Sequence, residues 1–335
     1  MPLYPRVHLL PSGDIICTSP IREKTMSFIP EVGPYGGVFT PVCNCPPPDD
    51  YPGYGWGSVL LPLSYRNNYR ASVLMCGGAS EVAYRLDLKD WSPSTAILNL
   101  WAWRPTSPRA MRERRLHANA TLLPTGEVLV TGGIDAGALD LTTPDARGVR
   151  EPEIYDPYAD KWSVPKEPAS EVRNYHSVAL LMPDGRVWTA GSDHNAGGGL
   201  GARNLNTEIF APWYYGDPDR PYIKAAPSLA YPNETIYVES THAKEIERVV
   251  LLRCGSCTHA FNPDQRLLEL EFKHPTGDAL LVKLPPDNFI LPPGPYFIYT
   301  IRRKSGTLGL PSYGTDIYIV PERTPKDPPS EPGGH

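Results

Sequence analysis

The chain has 335 residues, 41% hydrophobic and 21% charged, with a formal net charge of −5. That length suits two domains of roughly 100–200 residues each, and the acidic balance excludes the basic stripe that nucleic-acid binding requires. Its 29 glycines and 40 prolines make up about a fifth of the chain against an ordinary ~12%, the pattern of an all-β protein dense in turns.

No run of about 18 apolar residues occurs, so no membrane-spanning helix is predicted. The segment Met1-Pro-Leu-Tyr-Pro-Arg6 has no charged, apolar, then small-residue pattern, so no signal peptide is visible. Six cysteines in a chain this long do not read as a disulfide scaffold. Two sequons, at Asn119 and Asn233, permit glycosylation.

In chain order, His8-Leu-Leu-Pro-Ser-Gly13-Asp-Ile-Ile predicts a strand, a Pro-x-Gly turn and a second strand. Cys43-x-Cys45 follows, before Pro46-Pro47-Pro48, at the wrong spacing for a zinc knuckle. Tyr51-Pro-Gly-Tyr54-Gly-Trp56 reads as a Gly/Pro/aromatic turn before a strand. Tyr65 and Tyr69 fall in a turn and the strand after it, and that strand ends at Cys76-Gly77-Gly78. There Cys76 reads as a buried small apolar residue. The short basic cluster from Arg109 to Arg115 opens the next unit.

The two units that follow are repeats. His117-Ala-Asn-Ala-Thr-Leu-Leu-Pro124-Thr-Gly126 and His176-Ser-Val-Ala-Leu-Leu-Met-Pro183-Asp-Gly185 align at a spacing of about 60 residues, with Gly132 falling on Gly191. Glu153-Ile-Tyr-Asp-Pro157 repeats as Glu208-Ile-Phe-Ala-Pro212. Counting the weaker copies upstream gives about four units of the kelch outline, whose period is near 50.

From Pro221 the Gly-Gly signature is lost. Strands are predicted at 235–238, 246–253, 266–272, 279–283, 296–301 and 316–320, separated by Pro/Gly turns, as in an immunoglobulin-like sandwich. The expected organisation is a partial kelch-type β-propeller over 1–220, a β-sandwich over 221–320 and a Pro-rich disordered tail over 321–335.

Of the eight histidines, two stand out. His176 follows Tyr175 at the start of a blade strand, and His259 sits in the polar stretch Cys257-Thr-His259-Ala-Phe-Asn-Pro-Asp-Gln265. Imidazoles suit copper and a phenolate can join them as an oxygen ligand, yet a single strand histidine is ordinarily packed or at the surface. His117 shows that the repeat alone can place a histidine there.

Arg173-Asn-Tyr175-His176-Ser177 with Leu180-Leu-Met-Pro-Asp-Gly185-Arg-Val resembles the last-blade motif of the galactose oxidase and glyoxal oxidase family of copper radical oxidases. Thr258-His259-Ala-Phe-Asn-Pro-Asp-Gln265-Arg266 is similar to that family's sandwich loop, and Leu291-Pro-Pro-Gly-Pro-Tyr-Phe with Gly309-Leu-Pro-Ser312 to its closing strands. The resemblance implies one copper ion held by Tyr175, His176 and His259, with Tyr175 also the base that takes the substrate proton. It implies oxidation of small aldehydes, primary alcohols or carbohydrates with O2 to give H2O2, outside the cell or at its wall. His8-Leu-Leu-Pro-Ser-Gly and Leu61-Pro-Leu with Asn67-Asn68-Tyr69 resemble the glyoxal oxidase branch, which favours aldehydes. Tyr51, Tyr54 and Trp56 stand where family members place substrate-facing residues.

The departure lies in the cofactor. The family joins a Tyr to a Cys by a thioether, in a Phe-Cys segment and an Arg-x-Tyr-x-Ser segment on earlier blades, upstream of where Met1 aligns, and neither is found in that context here. Oxidation by two electrons on one copper needs a second one-electron store, so the expectation is a Tyr–Cys radical cofactor that this chain does not encode and no turnover without it. Four units where the family has seven would leave the propeller open-edged, which fits a fragment, a processed half or a misassigned start, completed by missing N-terminal blades. The pair Cys254-x-x-Cys257 reads as a local disulfide or free thiols, with a tuning role toward His259 as the alternative. A reading from another class is a non-catalytic carbohydrate- or protein-binding module with a vestigial copper site.

Overall fold

The computed structural model of the chain describes residues 4–21, 23–30, 36–46, 55–91, 101–135, 147–192, 204–275 and 277–321. Within them the structure is all-β apart from short 3-10 turns. The Pro-x-Gly hairpins form as their chemistry dictates. Gly13, Gly126 and Gly185 each sit at positive φ (90°, 93° and 87°) and donate N–H to the carbonyl three residues back, on Leu10, Leu123 and Met182. This is a turn closed by a left-handed residue, a conformation open to glycine at little steric cost.

Four sheets follow one another along the chain. The first holds β1 (Val7–Leu9), β2 (Ile15–Ile21), β3 (Lys24–Pro30) and β4 (Gly37–Asn44) in that order. After β5 (Trp56–Leu60) and the short β6 (Leu63–Ser64), the second is β5 with β7 (Ser72–Gly77), β8 (Val82–Asp87) and β9 (Arg104–Ala110). The third holds β10 (Asn119–Leu122) and β11 (Val128–Thr131). A side ribbon of β12 (Ile134–Asp135) and β13 (Arg147–Gly148) intervenes before β14 (Glu153–Asp156) and β15 (Lys161–Ser163) complete that sheet. The fourth is three-stranded among the described residues: β16 (Val178–Leu181), β17 (Val187–Ala190) and β18 (Thr207–Phe210).

Neighbouring blades are locked by the paired glycines. Gly78 N–H donates to the Arg115 carbonyl at 3.0 Å and Gly133 N–H to the Arg173 carbonyl at 2.6 Å. A Cβ on Gly132 would lie 2.4 Å from that Arg173 carbonyl oxygen, and one on Gly77 2.8 Å from the Arg115 oxygen. Close backbone approach therefore excludes any side chain at these positions. Each arginine side chain then turns back into its own blade: Arg115 donates to the Gly132 carbonyl and Arg173 to the Gly191 carbonyl.

The remaining strands are β19 (Ile223–Ala225), β20 (Leu229–Ala230), β21 (Thr235–Ser240), β22 (Ile246–Arg253), β23 (Leu267–Lys273), β24 (Ala279–Lys283), β25 (Gly294–Arg302), β26 (Leu310–Pro311) and β27 (Thr315–Ile319). They form the immunoglobulin-like unit. The first half of β23 pairs with β22 and its last three residues with β24, so one strand serves both sheets. Sequence reading finds six of these strands and misses β19, β20 and β26, which are too short to show an alternation. Tyr65 opens a 3-10 turn, and Tyr69, expected in a strand, instead follows the turn at positive φ.

Sandwich and blades share one interior. Strand β6 pairs in parallel with β23, and Val59, Leu74, Leu122 and Val130 of the blades pack in one cluster with Val250, Leu252, Phe297 and Tyr299 of the sandwich. Cys76 is buried in that cluster. Residues Tyr51 and Tyr54 and the tail from 322 lie outside the described residues.

Candidate metal centre

Tyr175 and His176 occupy the turn that leads into β16, two residues after the arginine whose carbonyl is pinned by Gly133. His176 adopts a left-handed φ of 61°, which lets two consecutive side chains stack (ring centroids 3.8 Å apart, planes 29°). His117, one blade earlier, has the same φ of 62°. It is buried with its ring edge-on to Tyr175 at 5.0 Å.

His259 arrives from the sandwich, about 80 residues further along the chain. Thr258 and Phe261 exchange both backbone hydrogen bonds, 2.9 and 3.0 Å, around His259 (φ 51°) and Ala260 (φ 60°). Two successive left-handed residues make a type I′ turn, costly for side chains other than glycine and concentrated at functional sites. The turn places the His259 ring 5.0 Å from His176 at 87° and 5.8 Å from Tyr175 at 70°. Tyr4 stacks on His259, 3.7 Å between centroids.

The loop around His259 is held from every side. The Arg6 guanidinium donates to the His259 carbonyl at 2.8 Å, to the Tyr4 carbonyl at 2.8 Å and to the Trp56 carbonyl at 3.2 Å. It is buried between the Trp56 and Phe261 rings, and burial lowers its pKa to about 10, so it stays charged at neutral pH. The Gln265 amide clamps β10, accepting from Leu122 N–H at 2.8 Å and donating to the Ala120 carbonyl at 2.9 Å. Asn262 Oδ1 receives the N–H groups of Ser256 and Gln265. Arg266 donates to the carbonyls of Phe289 and Ile290 and reaches Leu9.

Cys257 ties the loop to the blade that carries His176. Its Sγ–H donates to Asn119 Oδ1 at 3.0 Å, and Asn119 Nδ2 donates to Ser177 Oγ at 2.8 Å. Cys254 and Cys257 are both free thiols, and burial raises the pKa of each. The thiol of Cys257 is thus a hydrogen-bonding strut.

The structure therefore gathers Tyr175, His176 and His259 in one place and adds Tyr4, Arg6 and His117, which sequence reading did not select. Trp56, read as substrate-facing, is fully buried, its ring packed on Met75 under the Arg6 guanidinium. Among the described residues no three His, Cys, Asp or Glu side chains converge on a metal position. The third donor of this cluster is a phenol, and two imidazoles with a phenol oxygen are a donor set that copper accepts.

Residues 1–214 match the family profile described as glyoxal oxidase N-terminus, and residues 220–319 match the galactose oxidase-like early-set domain. An aldehyde oxidase of Arabidopsis thaliana is 30% identical over 95% of this chain and 55% of its own length. One of Vitis pseudoreticulata is 28% identical over 95% and 62%. The galactose oxidase of Gibberella zeae is 30% identical over 62% of this chain and 29% of its own. The chain thus spans little more than half the length of the aldehyde oxidases it matches. A fungal alcohol oxidase solved in complex with copper shares the fold, with a TM-score of 0.75 at 20% identity over 94% of this chain and 63% of that one. By the profile match over most of its length, the chain belongs to the glyoxal oxidase and galactose oxidase family.

Proposed function

We propose that this chain supplies the copper-holding part of a copper radical oxidase acting on aldehydes or primary alcohols. The observation that supports it most is the convergence of the Tyr175, His176 and His259 rings from two separate parts of the fold. The overall reaction balances as RCHO + H2O + O2 giving RCOOH + H2O2, or RCH2OH + O2 giving RCHO + H2O2. Copper, when bound, supplies a Lewis acid and one of the two electron sinks this oxidation needs.

The chain's own residues set the rest. His176 and His259 would hold the metal with Tyr175, and the Tyr175 phenol oxygen would take the proton from an alcohol or gem-diol. Thr258 Oγ1 lies 2.7 Å from His259 Nδ1. The tautomer suited to metal binding has Nδ1–H donating to that hydroxyl and the lone pair on Nε2. Arg6 and Gln265 fix the loop so that this ring does not reorient.

The second electron store, a Tyr–Cys thioether in this family, is not assigned to any pair in this chain; Cys76 is buried in the hydrophobic core. Turnover on this reading needs that pair from residues beyond these 335, with an extracellular or cell-wall setting. The test is copper stoichiometry by elemental analysis. The wild-type chain should hold one copper, and His176→Ala and His259→Ala should each lose it. Full retention in both variants would remove the site. A wild-type chain that takes no copper would leave the non-catalytic binding role in its place.

A further inference from the structure

A well-formed cavity lies away from the ring cluster. It is a cleft of about 590 Å³ between the third and fourth blades, within the ~300–1,000 Å³ typical of small-molecule sites. None of Tyr175, His176 and His259 lines it.

Its polar core is a divergence within the repeat. In the third blade Arg115 pairs with Glu153 at 2.7 Å, both fully buried. The equivalent pair in the fourth blade, Arg173 and Glu208, stands open at 3.4 Å, because Glu208 Oε1 is taken by the Ser170 N–H and hydroxyl. Arg173 is 4% exposed. Its Nη1 donates to the Gly191 carbonyl. Nε and Nη2 have no hydrogen-bond acceptor among the described residues, and Glu208 Oε2 has no donor. Both residues line the cleft. A buried guanidinium with two unused donors beside a carboxylate oxygen with unused capacity is costly unless a polar group completes it.

The rest of the lining says what kind of group. Arg150, Lys166 and Arg173 face Glu167, Glu171 and Glu208, so the formal charges of the lining cancel. A strongly charged ligand gains nothing from such a wall, whereas hydroxyls both donate to the carboxylate and accept from the guanidinium. Trp213, 42% exposed, and the exposed Ile209 also line the cleft. An exposed indole offers an apolar face to lie against the C–H face of a sugar ring.

The geometry points to a binding site for a neutral carbohydrate in this cleft, separate from the metal centre and independent of the oxidase reading. The test uses the full 335-residue chain without copper, titrated by calorimetry and tryptophan fluorescence with cellotetraose, xylotetraose and galactotetraose, and with trigalacturonate as an anionic probe. At least one neutral probe should bind one-to-one. Trp213→Ala and Glu208→Gln should each weaken it by at least about tenfold, or ~1.4 kcal/mol, and Trp213→Phe should restore most of the affinity. Copper uptake should stay at the wild-type level in all three variants, which separates the cleft from the metal centre. Failure of every neutral probe to bind, binding indifferent to both Trp213→Ala and Glu208→Gln, or tighter binding of trigalacturonate would overturn the proposal.

Discussion

Replacing Arg6 by methionine keeps the bulk of the side chain and removes five N–H donors. Three backbone carbonyls, those of Tyr4, Trp56 and His259, then lose the Arg6 donor, the first and last in a partly buried and Trp56 in a buried setting. Each such loss costs about 1–3 kcal/mol, and two cation–π contacts with Trp56 and Phe261 go as well, at roughly 0.5–1 kcal/mol each. Against this stands relief from burying a charge that no carboxylate neutralises among the described contacts, so a net loss of about 3–5 kcal/mol is expected. The assay is urea unfolding, read as a shift in midpoint at unchanged slope, paired with copper titration of the folded variant. Copper affinity should fall along with stability, since the His259 carbonyl is one of the three released groups. A variant less than about 1 kcal/mol destabilised, with wild-type copper affinity, would refute the idea that Arg6 anchors the site loop.

Other expectations follow from the same contacts. Gly132→Ala puts a Cβ 2.4 Å from the Arg173 carbonyl at a φ of 66°, so urea unfolding should show a loss of roughly 2–4 kcal/mol. Burial, with Arg266 and Arg6 nearby, lowers the His8 pKa from 6.5 to about 3. The unfolded chain then binds the extra proton between those values, so stability present above pH 6.5 drains away as pH falls toward 3, at up to roughly 1.4 kcal/mol per pH unit. His8→Gln should flatten that stretch of the melting-temperature profile, and an unchanged profile would count against the buried neutral imidazole. In a glycosylating host, peptide mapping should find glycan at the exposed Asn233 and none at Asn119, which is buried and bonded to Ser177 and Cys257.

The blades were legible because their signals are local. A Pro-x-Gly turn and a Gly-Gly strand end state their backbone requirement within a few residues, and Gly13, Gly126 and Gly185 meet it with the same bonds. The His259 loop could be read as polar and set between strands, but nothing nearby in sequence says that it touches His176. That contact rests on the sandwich packing against the blades through β6 and β23. Arg6 and Tyr4 carried no visible signal, since their partners lie on Trp56 and His259. Trp56, which the family resemblance set among substrate-facing positions, is buried support for Arg6. The burial of Asn119 was invisible for the same reason: a sequon is local, exposure is not.

The most direct test of the central claim is electron paramagnetic resonance of the chain loaded with one equivalent of Cu(II), prepared with 15N-labelled histidine. The account predicts coupling to two histidine nitrogens in the wild type and to one at most in His176→Ala and in His259→Ala. A wild-type spectrum with no histidine coupling, or one unchanged in both variants, would contradict it.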